Sequence, residues 1–246
     1  MTTNEQSTRS ITLTPSAMNK LRKVSTATLT SQLLKRGFHN TFLTGIYPLR
    51  PDLRMVGYAL TLRFIPTRED LVDTLYDNTV NVQRLAVEAV QPDDVVVVDA
   101  RGDVRAASFG HILGTRIMVR GAAGFVTDGA LRDTPGFKEL ELASYIRAPH
   151  ATTSFVVHHP IEMNVPIGCA GVAVLPGDVM VGDGEGVVAI PAHVAEEVAH
   201  DTYEQELQEI FFQQRVAQGE SILGVYPPDE ATMAAYQVWR QEQDDE

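Results

Sequence analysis

Cysteine is almost missing from this chain. Cys169 is the single one in 246 residues, so no intramolecular disulfide and no multi-cysteine zinc site can form. It lies in the phrase IGCAGVAV, among small residues, which suits a buried structural thiol better than a catalytic one. Excess positive charge is missing too. Lys and Arg number 20 against 32 Asp and Glu, for a formal net charge of −12. A nucleic-acid backbone as main partner needs clustered cations, and that class is set aside. A small anionic ligand is not, since one local arginine can act inside an acidic protein. No apolar run reaches the roughly 18 residues of a membrane span. The opening MTTNEQSTRS lacks the apolar segment of a secretory signal. No internal repeat and no low-complexity linker divide the chain. With 44% hydrophobic residues, the expectation is one cytoplasmic domain over residues 16–240 with a sizeable core. A mobile segment is expected at 1–15 and a solvated tail at 241–246.

What is present is a mixture of helical and strand patterns. Val24–Gly37 reads as a helix with Ser25 or Thr26 at its start, Leu29, Leu33 and Leu34 on its apolar face, and Gly37 at its end. Met55–Ile65 is rich in strand formers. Glu69–Val90 carries a rough helical stripe of Leu71, Leu75, Val82, Leu85, Ala86 and Ala89. Val95–Val98 is a continuous apolar run, as in a strand buried on both faces. Short strands are expected at Ala106–Phe109, Gly124–Thr127, Ser154–His158 and Gly171–Leu175. His111–Arg120 reads as a helix with Gly121 at its C-cap. Val179–Ile190 is a hairpin with Asp183-Gly184 in the turn. Pro191–Gln218 is a long C-terminal helix. The pattern predicts a single domain of mixed helices and strands.

Chemistry concentrates between Gly110 and Gly136. Arg132 and Asp133 stand side by side just past an apolar strand. Read alone, such a dipeptide is a solvated surface pair. Three neighbours change that reading. The pair follows a buried strand, and functional loops project from strand ends. Asp128-Gly129 makes a turn that re-aims the chain. The preceding helix opens at Gly110-His111-Ile112-Leu113, whose free backbone N–H groups form a natural anion site. A ligand carboxylate held by those amides and by Arg132 would face Asp133.

The order Arg120-Gly121, Gly124, Val126, Asp128-Gly129, Arg132-Asp133 resembles the phrase RG-x-x-G-x-V-x-DG-x-x-RD of the RraA-like proteins. Residues 26–37, 55–63, 95–110 and 176–191 also look like family segments, so the resemblance covers roughly residues 20 to 225. The family includes the class II, divalent-metal-dependent pyruvate aldolases that cleave 4-hydroxy-4-methyl-2-oxoglutarate and 4-carboxy-4-hydroxy-2-oxoadipate. The resemblance implies a β/β/α layered fold of the phosphohistidine-swivelling-domain type, assembled as a homotrimer or hexamer. It implies that Arg132 binds the pyruvyl carboxylate or keto oxygen and that Asp133 ligates Mg²⁺ or Mn²⁺. The amides around Gly110, His111, Ile112 and Leu113 would complete the pyruvate cradle. A glutamate from a neighbouring subunit's C-terminal helix reaches a metal water in the aldolases. Counting back from Gly219 places Glu209 there, with Glu206 the next choice. Retro-aldol cleavage would leave a pyruvate enolate stabilised by the cation and Arg132. Decarboxylation of oxaloacetate passes through the same enolate and is the expected side activity.

Two positions depart from the family pattern. Gly136 stands where an acidic residue is common, and His111 stands where Glu or Asp often follows the helix-opening glycine. His111 is either an acid or base near neutrality or a packing residue at the helix start. The alternative function within the family is non-enzymatic: binding and inhibiting the endonuclease RNase E. Members of that kind tend to lack the motif Asp, which this chain keeps as Asp133. A quinone methyltransferase is disfavoured, because no glycine-rich nucleotide loop follows the first strand. His158-His159 reads as a loop-edge pair, since neighbours on a strand face opposite ways. Gly182–Gly186 lacks the Lys-Ser/Thr ending of a phosphate loop and reads as a hairpin turn. Arg68-Glu69-Asp70 reads as helix-start capping, with a place at the specificity end of a substrate cleft as the alternative.

Overall fold

The computed structural model describes residues 11–71 and 76–244. In chain order its first elements are α1 (Pro15–Leu21), α2 (Thr26–Lys35), β1 (Tyr47–Pro48), β2 (Met55–Pro66), α3 (Val82–Ala89), β3 (Asp94–Asp99) and β4 (Ala107–Phe109). Next come α4 (His111–Val119), β5 (Gly124–Thr127), β6 (Ala130–Leu131), α5 (Thr134–Phe137), β7 (Ala143–Ile146) and β8 (Ala148–Pro149). The last are β9 (His158–Met163), β10 (Ile167–Cys169), β11 (Val172–Val174), β12 (Val179–Gly182), β13 (Val187–Ile190), α6 (Ala195–Ala217) and α7 (Glu230–Asp244).

The main sheet runs β1-β7-β5-β3-β2-β12-β13, and β9 also pairs with β2. Strands β7, β5, β3 and β2 are mutually parallel. Long β2 changes partner along its length. Met55–Tyr58 pair with β12, while Leu62–Pro66 pair with β9 across a register shift at Arg63/Phe64. Two smaller sheets complete the fold: the hairpin β10-β11, and the parallel β4-β6-β8.

Side-chain alternation sets the layers. Along β3, Val95 and Val97 face Ile167, Cys169, Val172 and Val174 of the β10-β11 hairpin. Val96 and Val98 face Ala86, Val87, Ile117 and Phe137 from the helices. Along β2, Val56 and Tyr58 meet Leu21, Leu29, Leu33 and Val198 of α1, α2 and α6, and Leu60 and Leu62 meet the α3–α5 group. The helices therefore cover one face and the hairpin the other, giving the expected β/β/α order. The valines of β3 are essentially inaccessible, and each contributes roughly 1.5–3 kcal/mol through burial.

Caps and turns fix the helix starts. Ser25 Oγ accepts from Thr28 N at 3.1 Å at the head of α2. Asp183 reaches across from the β12-β13 turn and accepts from Thr26 N at 2.8 Å and Thr26 Oγ1 at 2.9 Å. The expected turn residue thus also holds α2 to the sheet. Gly121 has φ +92° after α4, as a C-terminal stop requires.

Several expectations need correction. The unbroken helix expected over Glu69–Val90 is interrupted at residues 77–81, with a 3₁₀ turn at Glu69–Leu71 and the separate α3 among the described residues. Asp77 Oδ1 accepts from Thr79 N at 2.8 Å and Thr79 Oγ1 at 2.6 Å, a local turn that competes with the helix. Asn81 then restarts the helix, its Oδ1 accepting from Arg84 N at 3.1 Å. Leu75 of the expected stripe lies outside the described residues. Arg68 and Asp70 pair with each other at that turn rather than capping a long helix. Ser154–Val156 is a 3₁₀ turn, and the strand begins only at His158. His158 and His159 are buried on β9, not at a loop edge. Leu13 is buried and Thr14 caps α1, so packing starts inside the segment expected to be mobile. Residues 1–10 lie outside the described residues. At the other end α7 runs on to Asp244, with Gln241 and Glu242 exposed.

Candidate active site

The small parallel sheet builds the site. β4 and β6 pair in parallel, Ala107 against Ala130 and Phe109 against Leu131, and Arg132 N donates to Phe109 O at 3.1 Å. Parallel strands end on the same side. Gly110, which opens α4, and Arg132-Asp133, which follow β6, are brought together for that reason. The strands themselves are locked underneath: Ala107, Phe109, Ala130 and Leu131 are buried. Ser108 Oγ bonds Thr127 Oγ1 at 3.0 Å and donates to Ala130 O at 3.1 Å.

Asp128 fixes the turn between β5 and β6. Its carboxylate accepts from Ala100 N at 2.7 Å, Gly102 N at 2.9 Å and Ala170 N at 3.4 Å. Burial nonetheless pushes its carboxyl above the usual range, the amide bonds only partly offsetting this. Asp128 is a structural clamp joining the ends of β3, β5 and β10.

Asp133 is in the left-handed region, φ 57° and ψ 33°, a conformation Asp tolerates better than most residues. Its Oδ2 lies 3.4 Å from His111 N and 3.4 Å from Arg132 Nε. Arg132 Nε is sealed from solvent and makes no hydrogen bond. Its contact with Asp133 is therefore an ion pair without good hydrogen-bond geometry, and both side chains stay roughly half exposed. Gly110 is extended and supplies no capping side chain. A Cβ there would come within 3.0 Å of Arg132 Cγ and 3.2 Å of Asp133 Oδ2, so only glycine lets the pair sit this close. Among the described residues, the N–H groups of Ile112 and Leu113 have no acceptor, as at any first helical turn.

These groups line one cavity of about 230 Å³, together with Gln83, Arg84, Ser108 and Thr153–Phe155. The structure thus brings together Gly110, Ile112, Leu113, Arg132 and Asp133. His111 lends its backbone N–H, but its ring is turned elsewhere. It packs edge-on to Phe137, with centroids 6.5 Å apart, and is not part of the cavity wall. Glu209 lies on α6, outside this cavity, and accepts from Gln205 Nε2 at 2.8 Å. Glu206 is engaged at the head of α2, accepting from Ser25 N and Oγ at 3.2 Å each.

Arg84 and Gln83 escaped sequence reasoning. Arg84 precedes Glu88 by four residues on a helix, the spacing of an ordinary surface ion pair. Glu88 instead pairs with Arg116 at 2.6 Å and Arg120 at 3.4 Å on α4. The signal was present but pointed to the wrong partner. Cys169 is fully buried, and burial holds its thiol well above the ordinary value, as its small neighbours implied. No helix among the described residues is long and apolar enough to cross a membrane.

Comparison with known proteins places this geometry. A Halalkalibacterium halodurans protein provisionally named 4-hydroxy-4-methyl-2-oxoglutarate aldolase is 35% identical over 153 residues, covering 62% of this chain and 67% of its own. A Thermus thermophilus protein named 4-hydroxy-4-methyl-2-oxoglutarate aldolase is 32% identical over 153 residues, covering 61% and 91%. Among solved structures, Streptomyces coelicolor RraAS2, described as an unusual member of the RNase ES inhibitor RraA family, superposes with a TM-score of 0.73 at 32% identity. It covers 82% of this chain and 98% of its own. Residues 26–189 match the RraA-like family, Aldolase/RraA, and span every group of the cavity. The chain belongs to the RraA-like family.

Proposed function

We propose that the chain is a divalent-metal-dependent aldolase, a lyase that cleaves a 4-hydroxy-2-oxo acid to pyruvate and a second carbonyl compound. The observation that carries this reading is the convergence of Arg132, Asp133 and the free N–H groups of Ile112 and Leu113 on one small cavity. The relatives named as aldolases support it.

The donor set fits Mg²⁺ or Mn²⁺. Asp133 offers a half-exposed carboxylate, and no group of three or more His, Cys, Asp or Glu able to hold an ion occurs among the described residues. A hard cation that keeps most of its waters accepts one carboxylate; a tetrahedral zinc site does not. When bound by Asp133, the cation would supply Lewis-acid stabilisation of charge on the keto and carboxylate oxygens.

The chain's own groups do the rest. Ile112 and Leu113 N–H orient the 2-oxo acid carboxylate at the positive end of α4. Arg132 donates to the keto oxygen and gains as charge develops there. The C3–C4 bond breaks, its electron pair passing into the enolate of pyruvate while the C4 hydroxyl loses its proton to water and becomes a carbonyl. Protonation at C3 yields pyruvate. Oxaloacetate would lose CO₂ to the same enolate, which makes decarboxylation the natural side activity. Assembly as a trimer or hexamer, with Glu209 serving a neighbouring subunit's site, and a cytoplasmic setting belong to the same proposal.

Pyruvate release from 4-hydroxy-4-methyl-2-oxoglutarate with Mg²⁺, with chelator, and with Asp133→Ala tests the reading. Loss of activity in both altered conditions is expected; undiminished activity of the variant would sink the metal role of Asp133. The likeness to RraAS2 supports a second reading, inhibition of an RNase E-type nuclease. Pull-down with an RNase E scaffold region separates the two, and no capture is expected, because Asp133 is retained.

A further inference from the structure

The cavity holds a second guanidinium for which the pyruvyl half of a substrate has no evident use. Arg84 lines it, and Arg84 Nε is sealed from solvent without a hydrogen-bond partner. No ion pair forms on the Arg84 side chain among the described residues, since Glu88 is taken by Arg116 and Arg120. The helix that carries Arg84 is held firmly in place. Asn81 caps it through Arg84 N, and buried Gln83 donates from Nε2 to Ser108 O at 2.7 Å, on the strand leading to Gly110. Among the described residues, the ionisable ones lining the cavity are Arg84, Arg132 and Asp133, two cations against one anion. Arg132 is paired with Asp133, so the Arg84 guanidinium leaves anion-binding capacity unused. At about 230 Å³ the cavity lies below the roughly 300–1,000 Å³ of drug-sized sites, so the missing anion belongs to a small molecule.

We propose that Arg84 binds a second carboxylate, on the substrate tail, and makes the site selective for 2-oxo acids with an anionic tail over neutral ones. This rests on the reading that Arg132 and the α4 amides hold the 2-oxo acid end. Arg84 is a specificity residue and takes no part in breaking the C3–C4 bond.

The test compares two five-carbon acids that differ in tail charge, with pyruvate as the control that lacks a tail. Binding of 2-oxoglutarate, 2-oxopentanoate and pyruvate is measured by calorimetry with Mg²⁺ for the wild-type protein, Arg84→Met and Arg84→Lys. A charge-assisted hydrogen bond predicts that the wild-type protein prefers 2-oxoglutarate over 2-oxopentanoate by roughly ten- to a hundredfold. Arg84→Met is expected to abolish that preference while leaving pyruvate affinity unchanged, which also shows that the variant is folded. Arg84→Lys is expected to keep part of it. In turnover, Arg84→Met raises KM for 4-hydroxy-2-oxoglutarate with little change in kcat and leaves 4-hydroxy-2-oxopentanoate unaffected. Equal wild-type affinities, a preference that survives Arg84→Met, or a parallel loss for all three acids would each overturn the role of Arg84. Selective binding without any pyruvate release overturns the aldolase reading and leaves the role of Arg84 standing. No binding of any acid overturns both.

Discussion

The imidazole of His111 lies against Gly136: a Cβ on Gly136 would come within 3.3 Å of both Cε1 and Nδ1. The two departures from the family pattern are therefore one contact. A side chain at 136 and a ring at 111 compete for the same space. Gly136 lies within the short helix α5, where alanine is ordinarily worth roughly 0.5–1 kcal/mol over glycine. With His111 present, the added methyl must push the ring aside. Gly136→Ala should thus stabilise the His111→Ala background and fail to stabilise the wild type. Denaturant unfolding of the two single variants and the double variant measures the coupling, expected at about 0.5 kcal/mol or more. Strict additivity would show that the ring moves freely.

Gly110→Ala separates site geometry from folding. Gly110 is extended, with φ −145° and ψ 171°, so alanine costs nothing in backbone strain. Its Cβ would press on Arg132 Cγ at 3.0 Å and Asp133 Oδ2 at 3.2 Å. Both groups must shift by a few tenths of an ångström, and small misplacements are costly where charge must be met in register. Activity should fall about tenfold or more, with a melting temperature close to that of the wild type. A variant with full aldolase activity would remove Gly110 from the site.

How much of this was legible in the sequence follows from the range of the interactions. β3 was readable because four consecutive valines admit few other structures, and the hairpin β12-β13 because its turn residues are local. The Arg132-Asp133 site was readable as a motif. Its cause was not, since parallel pairing of β4 with β6 is a contact over some twenty residues of chain. The false helix over Glu69–Val90 arose because apolar spacing continued past Asp77, whose hydrogen bonds to Thr79 end it. Arg84 was hidden because its natural partner four residues on, Glu88, is claimed by α4. No reading of one helix alone reveals that.

Cys169 offers a clean probe of global unfolding. The thiol is fully buried, 3.6 Å from Val98 O, and burial raises its pKa well above the usual value. Thiolate is the reactive form. An aromatic disulfide reagent at mildly alkaline pH should therefore modify the native protein no faster than the protein unfolds, and should react at once in denaturant. Rapid labelling of the native state would show that the β10-β11 hairpin opens locally.

Acid stability should turn on the histidines of β9. His158 is fully buried and bonded through Nε2 to Ala106 O at 3.1 Å, and His159 is nearly as buried. Burial lowers both from the ordinary value of 6.5. In the unfolded chain they take up protons near pH 6.5, whereas in the native protein they resist until lower pH. Between those limits the unfolded state binds more protons, so stability rises with pH. The contribution is complete above about pH 6.5 and is lost as pH falls toward the depressed native value. The slope is at most about 1.4 kcal/mol per pH unit for each histidine. Asp128 has the opposite sign. Its raised native pKa makes stability fall as pH rises from the ordinary carboxylate value of 3.8 toward the native one. Chemical denaturation of wild type and His158→Gln at a series of pH values between 5 and 8 resolves the two. The glutamine keeps a donor for Ala106 O but cannot titrate, so its profile should be flatter below pH 6.5. An identical profile in both proteins would move the acid sensitivity away from β9.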